Sequence, residues 1–376
     1  MNIKIASYVP LISLKPAEMA ALEELYDCEK NQILPSFSLK RWATCKSFDK
    51  SMDRIEKAFG KRPWIADVDD DFLNSLESKA QEEGAAKVFL EFQELLKPND
   101  GYKNWVEFIK KHEHIIPTVR LQDLEQLDKQ LNRLLELERT IVVRLKMAGS
   151  QPVTIPDFNK IIQTLSSYKL EQLFLILDYG DLTRINLIEH HKYTQFIQGV
   201  HKVLPKATIA FSGTSFPYSF GRSYRGEVSI FERLIFNKIV KSCEGIKLIY
   251  SDRASARAEA MGGGGGLPPP RIDYALKNDW RFIRKEFDDE FDDENENEEK
   301  EDLYQEAAQE MMKSDYWIKD LKAWGQQMIE KTSEGNKYGI NSAQKATAVR
   351  INLHLYQQIH YFEEISELDT EEDWED

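Results

Sequence analysis

The stretch "PWIADVDDDF", residues 63 to 72, closes an apolar run with four aspartates, Asp67, Asp69, Asp70 and Asp71. Carboxylates at the end of a buried strand suit two kinds of chemistry, oxygen ligation of Mg²⁺ and charge pairing with arginine. Other apolar runs close in the same manner, on Arg120, on Arg144 and Lys146, on Asp178 and Asp181, on Ser212, Thr214 and Ser215, and on Ser251, Asp252 and Arg253. Asp67, Asp69 and Asp178 could hold Mg²⁺ while Arg120 and Arg144 clamp a phosphate, as in a phosphodiesterase-like site. Asp67, Asp178, Arg120 and Arg144 are thus the candidate catalytic group. Ser212, Thr214, Ser215, Asp252 and Arg253 are the candidate ligand or phosphate-binding group, because "FSGTSFP" (211 to 217) offers small, hydroxyl-rich backbone N–H donors to an anion. A structural account uses the same residues. Asp67 and Asp178 would pair with Arg120 and Arg144 as a buried ionic layer, and Asp69 to Asp71 would cap a helix starting at Phe72.

The elements that must position these groups follow from the spacing. Eight short apolar runs recur at 8 to 12, 33 to 39, 64 to 68, 115 to 121, 140 to 145, 172 to 178, 207 to 213 and 247 to 252, separated by amphipathic stretches. Strands alternating with helices predict βα units and a parallel sheet. The strands are near-continuously apolar, as strands buried on both faces must be, so a TIM-like (β/α)8 barrel over residues 1–260 is favoured over an open doubly wound sheet. Such a barrel would present all the charged groups at the C-terminal ends of its strands.

Beyond it the pattern changes. "GGGGGLPPP" makes 261–271 a Gly/Pro loop, and alternation around "KND" predicts a β-hairpin at 272–285. Residues 286–302 read as an acidic disordered loop, 303–365 as C-terminal helices near 302–313, 315–331 and 342–365, and 366–376 as an acidic tail. The last helix would bury the stripe Ala348, Ile351, Leu355, Ile359 and Phe362.

Charge is unevenly spread. The net charge is -14, but residues 286–302 and 363–376 hold 21 acids against one lysine, and the remainder has 43 acids against 49 bases. Phe287, Phe291 and Trp374 sit as apolar anchors within those acidic runs, which would suit docking on a basic partner or mimicry of nucleic acid, or else only solubility. The basic body leaves nucleic acid open as a partner. Arg222, Arg225 and Glu232 would either reach over the barrel mouth or remain solvated charges.

Several classes are excluded or weakened. Three cysteines without CxxC spacing give neither a disulfide framework nor a zinc knuckle, and no HExxH is present. "GTSFP" is not a GxSxG elbow, no GK[ST] follows a glycine run, and the pentaglycine lacks a nucleotide fingerprint's flanking strand and helix. With no signal-peptide layout and no apolar run of membrane-spanning length, a cytoplasmic chain is expected.

In the order "YVPLISLKPAEMAALEEL", "KRPWIADVDDDF", "LILDYGD", "FSGTSFP", "RGEVSIFERLIF" and "RIDYALKNDWRFIRK", the chain resembles the beta family of phage and prophage proteins from about residue 8 to about 362. That family is named for the Beta protein of a satellite-phage locus, where it accompanies and restrains a lethal protein, Gop, and the locus is linked to anti-phage defence. The resemblance implies a toxin-restraining or sensing component of such a module, with a toxic effector or nuclease as partner. It brings no catalytic residues to transfer.

Overall fold

A computed structural model describes residues 6–148, 151–152, 155–168, 170–220, 223–258, 268–287 and 296–363. In chain order its strands are β1 (Tyr8–Ser13), β2 (Ser36–Leu39), β3 (Trp64–Val68), β4 (Ile115–Pro117), β5 (Ile141–Ala148), β6 (Gln151–Pro152), β7 (Leu173–Asp181), β8 (Thr208–Thr214), β9 (Arg225–Ser229), β10 (Leu248–Asp252), β11 (Arg271–Ala275) and β12 (Asp279–Arg284). Eight of them run parallel in the order β4-β3-β2-β1-β10-β8-β7-β5, and β6 only folds back on β5. The ring is nearly closed where β4 meets β5, through the bridge of Thr118 with Val142 and the hydrogen bond from Val119 N–H to Val142 O (2.8 Å). Each of the eight apolar runs is a barrel strand, and the chain has the TIM-like architecture its alternation predicts.

Side chains alternate across a strand, so each barrel strand serves two cores. Val9, Leu11, Leu34, Ile65, Ile116, Val142, Phe174, Ile176 and Ala210 form a buried cluster inside the ring. Outward residues such as Trp64, Ala66, Val143, Leu175, Leu177 and Phe211 join the larger core beneath the helices. Two residues beyond the inward set, on the same faces, come Asp67, Thr118, Arg144, Asp178 and Ser212. The barrel is therefore filled by an apolar layer below and a polar, charged layer at its C-terminal mouth.

The outer helix layer is completed from far along the chain. The helix Ala343–Ile359 packs against β1 and the helix Pro16–Glu23, with Asn352 Nδ2 donating to Ala21 O (3.0 Å). On its other side Gln358 Oε1 accepts from Arg233 Nε (2.7 Å) on the helix Phe231–Ser242. It thus covers β10 and β1 where an eighth barrel helix belongs. Ala348, Ile351, Leu355 and Ile359 lie in the main core, whereas Phe362 lies past the helix end and is 84% exposed, contrary to the expected stripe.

Between β10 and this helix lies a smaller unit with its own core, including Tyr274, Trp280, Met311, Ile329 and Leu353. Its hairpin is joined by β9 into an antiparallel sheet of order β11-β12-β9, so the predicted two strands are three. A helix spans Glu296–Met312, so the second half of the run expected to be disordered is helical. The helix expected at 315–331 starts only at Trp324, and the residues just before it form turns.

Candidate functional site

Asp67 is where the charged layer converges. It points inward from the end of β3, and its Oδ1 accepts from Arg120 Nη1 (2.9 Å) and Thr118 Oγ1 (3.2 Å). Its Oδ2 accepts from Arg144 Nη1. Arg144 also donates to Asp178 (Nε to Oδ2, 3.1 Å) and Asp70 (Nη2 to Oδ2, 2.7 Å). Asp178 also accepts from Arg253 Nη2 (2.7 Å), and Lys146 lies 2.9 Å from Asp70. The structure thus brings together Asp67, Asp178, Arg120, Arg144 and Arg253 as one network.

The electrostatics follow from that pairing. Burial alone would raise the Asp67 carboxyl, but the Arg144 and Arg120 guanidiniums hold it below the ordinary value. Burial likewise opposes ionisation of Asp178, and Arg253 and Arg144 reverse it. Arg144, despite burial, is driven well above the usual arginine value by Asp67, Asp178 and Asp70. Asp67, Asp178 and Arg144 are each held in the charged state. A general acid or base needs a value near the working pH, and these carboxylates are moved away from it.

Asp69 does what the helix-start pattern requires. Its Oδ1 accepts from Phe72 N–H (3.0 Å) at the start of the helix Asp70–Gln81, a cap of about 1 kcal/mol, and its Oδ2 takes Lys40 Nζ (2.9 Å). The expected Mg²⁺ set of Asp67, Asp69 and Asp178 therefore does not fit a cation. Its oxygens are committed to guanidinium, ammonium and backbone donors, and among the described residues no three His, Cys, Asp or Glu side chains are grouped to hold a metal.

The phosphate group is split by the fold. Ser212 lies inward across from Asp178 in the strand register, fully buried, its Oγ without a hydrogen-bond partner. Thr214 Oγ1 donates to Ala256 O (2.8 Å). Ser215 Oγ accepts from Phe231 N–H (2.9 Å) and faces Ser229 O (3.0 Å) and the Glu232 carboxyl. The Ser215 hydroxyl is thus occupied by partners within the protein, with the buried Glu232 carboxyl beside it. Asp252 faces outward, away from the mouth. Its carboxylate accepts from Tyr8 Oη (2.5 Å) and Ala254 N–H (2.8 Å) and meets His354 Nε2 (2.7 Å) on the C-terminal helix. Ser251 Oγ donates to Val9 O (2.6 Å). Asp181 accepts from Tyr218 Oη (2.8 Å), and Arg225 is exposed on β9 rather than over the mouth. Phe287 is half-buried, while Arg222, Phe291 and Trp374 lie outside the described residues.

Three contributors escaped the sequence reading. Asp70, assigned only to a helix start, turns into the mouth toward Arg144. Thr118 could have been found from its two-residue offset from Ile116 and Arg120. Gln130, which clasps the Arg120 backbone through both amide atoms (2.7 and 3.0 Å), left no signal. Beside the network a cleft of about 210 Å³ opens, lined by Asp67, Asp70, Arg120, Arg144, Lys146 and Phe158 among others.

The sequence model of the Beta protein family matches residues 8–360, from β1 to the end of the C-terminal helix. This chain belongs to the Beta protein family. It is 29% identical over 370 residues to Protein beta of Enterobacteria phage P4, covering 95% of this chain and 94% of that protein. The match takes in both the barrel and the appended unit, as the helix exchange between them requires. Among the described residues of this Beta-family protein, no helix is long and apolar enough to cross a membrane.

Proposed function

We propose that this Beta-family chain is a cytoplasmic interaction protein of an anti-phage module, a barrel scaffold that binds and restrains a toxic effector, with a nuclease the effector type that acidic, nucleic-acid-like segments suit. The observation that carries this reading is the state of the barrel mouth. Its buried acids and arginines neutralise one another, so the groups a catalyst would use are instead spent on holding a rigid floor. A rigid floor with charged rims is a platform for recognition. The test is co-expression with the product of the adjacent gene, followed by purification and salt titration. A stable complex that weakens with salt is expected, and failure to associate at low ionic strength rejects that partner.

A second reading is favoured by one specific observation. The Nε donors of Arg120 and Arg253 and the hydroxyl of Ser212 are buried at the mouth without hydrogen-bond partners. An enzyme acting on a phosphorylated small molecule or nucleic acid would direct such donors at its substrate's phosphate. Asp178→Asn should then abolish protection against phage in a chain that still folds. Protection that survives this change rejects the enzyme.

A further inference from the structure

At the end of the barrel opposite the mouth, one strand begins uncovered. The helix Ala343–Ile359 stops at Ile359, and β10 opens with Leu248 and Ile249 only half-buried, whereas Tyr250, Ser251 and Asp252 are buried. These first residues line a cleft of about 800 Å³ that also takes in Ala6 and Ser7, just before β1, and Phe236 and Val240 of the helix Phe231–Ser242. Val240 and Phe362, both on the cleft, are 42% and 84% exposed, so it presents contiguous apolar surface to water.

Charge in this cleft is of one sign. Arg233, Lys241 and Lys247 line it and, among the described residues, no Asp or Glu does, in a chain of 64 acids against 50 bases. Arg233 is the unusual member, because it is only 2% exposed and a buried cation is costly unless a counterion meets it. Its Nε donates to Gln358 Oε1 (2.7 Å), a neutral partner. Among the described residues no carboxylate pairs with it, and no acceptor meets its Nη1 or Nη2. The neighbouring Glu232 does not serve. Successive helix residues face different directions, so its carboxyl meets Ser215 instead, and burial pushes it up to about 8.

Stacking fixes where the free donors are. The Arg233 guanidinium carbon lies 3.3 Å from the ring centre of Tyr250 and 4.1 Å from that of Tyr361. Aromatic faces attract a cation without cancelling its charge, and they occupy the flat sides of the group, so its edge remains for hydrogen bonding. Gln358 takes the Nε corner of that edge. The Nη1 and Nη2 end is left, and two parallel N–H donors there match the two oxygens of a single carboxylate. One monoanion restores neutrality around one buried arginine, while Lys241 and Lys247 add positive potential that draws it in.

We propose that this cleft binds a small organic acid, with its carboxylate on Arg233 and its apolar body along Phe236, Val240, Leu248 and Phe362. The volume is that of a small-molecule site, and a mostly apolar lining with a single buried charged anchor is the usual make-up of one. The site lies at the opposite end of the barrel from the charged network and rests on neither reading of the mouth.

The experiment is calorimetric titration of the full chain with octanoate, hexanoate and 1-octanol. Saturable octanoate binding is expected, about tenfold or more tighter than that of 1-octanol, which keeps the chain length and lacks the charge. Hexanoate, two methylenes shorter, should bind about tenfold more weakly than octanoate. Arg233→Met, which keeps the bulk, should weaken octanoate by about tenfold or more and leave 1-octanol unchanged. Val240→Glu, on the exposed wall, sets an acid beside the incoming carboxylate and should weaken octanoate as well, which keeps the test alive if circular dichroism shows the arginine variant unfolded. Lys103→Gln on an outer helix should change nothing. A parallel titration uses a chain ending at Glu363, and binding gained only there supports the site and makes the acidic residues 364–376 its competitor. The proposal is overturned by binding to neither chain, by 1-octanol or hexanoate binding as tightly as octanoate, or by octanoate binding that Arg233→Met and Val240→Glu both leave unaltered.

Discussion

Arg144 reaches past an entire strand to hydrogen-bond Asp67, joining β5 to β3 across the inside of the barrel over β4. β4 itself meets β5 through a single bridge, so this ion pair spans the weakest seam of the ring. The consequence is that a residue with the look of catalytic machinery is tied to stability.

Asp67→Asn should therefore cost about 3 kcal/mol or more, because Arg120 would keep buried charge without its carboxylate and Arg144 would lose one of its three. Urea unfolding measures it, with the midpoint falling and the slope unchanged. A loss under about 1 kcal/mol would show the network to be solvated and easily replaced.

The pH dependence has two limbs. Glu232 is fully buried, and burial, reinforced by Asp252 and opposed by the Ser215 hydrogen bond, pushes it up from 4.5 to about 8. The folded state then holds a proton that the unfolded chain releases. Stability is unaffected below 4.5, falls as pH rises toward about 8, and levels off above, with a slope of up to about 1.4 kcal/mol per pH unit. Asp67, Asp178 and Asp252 are lowered instead, so their contribution is present at neutral pH and disappears as pH falls through their depressed values. Glu232→Gln should flatten the upper limb and leave the acid limb intact. Thermal unfolding across pH reads both, and an unchanged upper limb in the variant removes Glu232 as its cause.

His354 links the two cores. Trp280 Nε1, which can only donate, points at His354 Nδ1 (3.3 Å), placing the ring's proton on Nε2 toward Asp252. His354→Ala should leave the Trp280 N–H unpaired and take from Asp252 the partner of its Oδ2, with Tyr8 and Ala254 still on Oδ1, in a fully buried site, at a cost of about 2 kcal/mol. The loosening should centre on the helix Ala343–Ile359, seen as faster amide exchange there than in β5 and β7. Uniform acceleration over the whole chain would instead make barrel and appended unit a single cooperative block.

What the sequence could and could not show follows from the period of a strand. Ile65 and Asp67, Val142 and Arg144, and Ile176 and Asp178 are each two apart, so an inward apolar residue announces an inward charge above it, and the mouth network was legible. Asp252 looked equivalent but is one residue out of step, and a one-residue shift turns a side chain to the other face. Its burial there depends on a helix supplied about a hundred residues later, which no local pattern reveals. β9 was missed because "RGEVS" has too few apolar residues to read as a strand without the hairpin that recruits it.

Gln130 offers the sharpest test of how the barrel closes. It is fully buried on the helix Leu127–Leu135, where its Oε1 accepts from Arg120 N–H (2.7 Å) and its Nε2 donates to Arg120 O (3.0 Å). A side-chain amide here takes the part of a neighbouring strand, satisfying the backbone just past β4 where the ladder to β5 has run out. Gln130→Ala should leave that N–H and C=O unpaired at a cost of about 2 kcal/mol, and Gln130→Glu, which keeps an acceptor but sets a buried carboxyl oxygen against the Arg120 carbonyl, should cost at least as much. Because the same backbone carries the Arg120 side chain to Asp67, both changes should speed exchange of the Val119 and Arg120 amides while β7 and β8 stay protected. Equal protection of Arg120 in the natural and Ala chains would mean that the seam is held by the ion pairs alone.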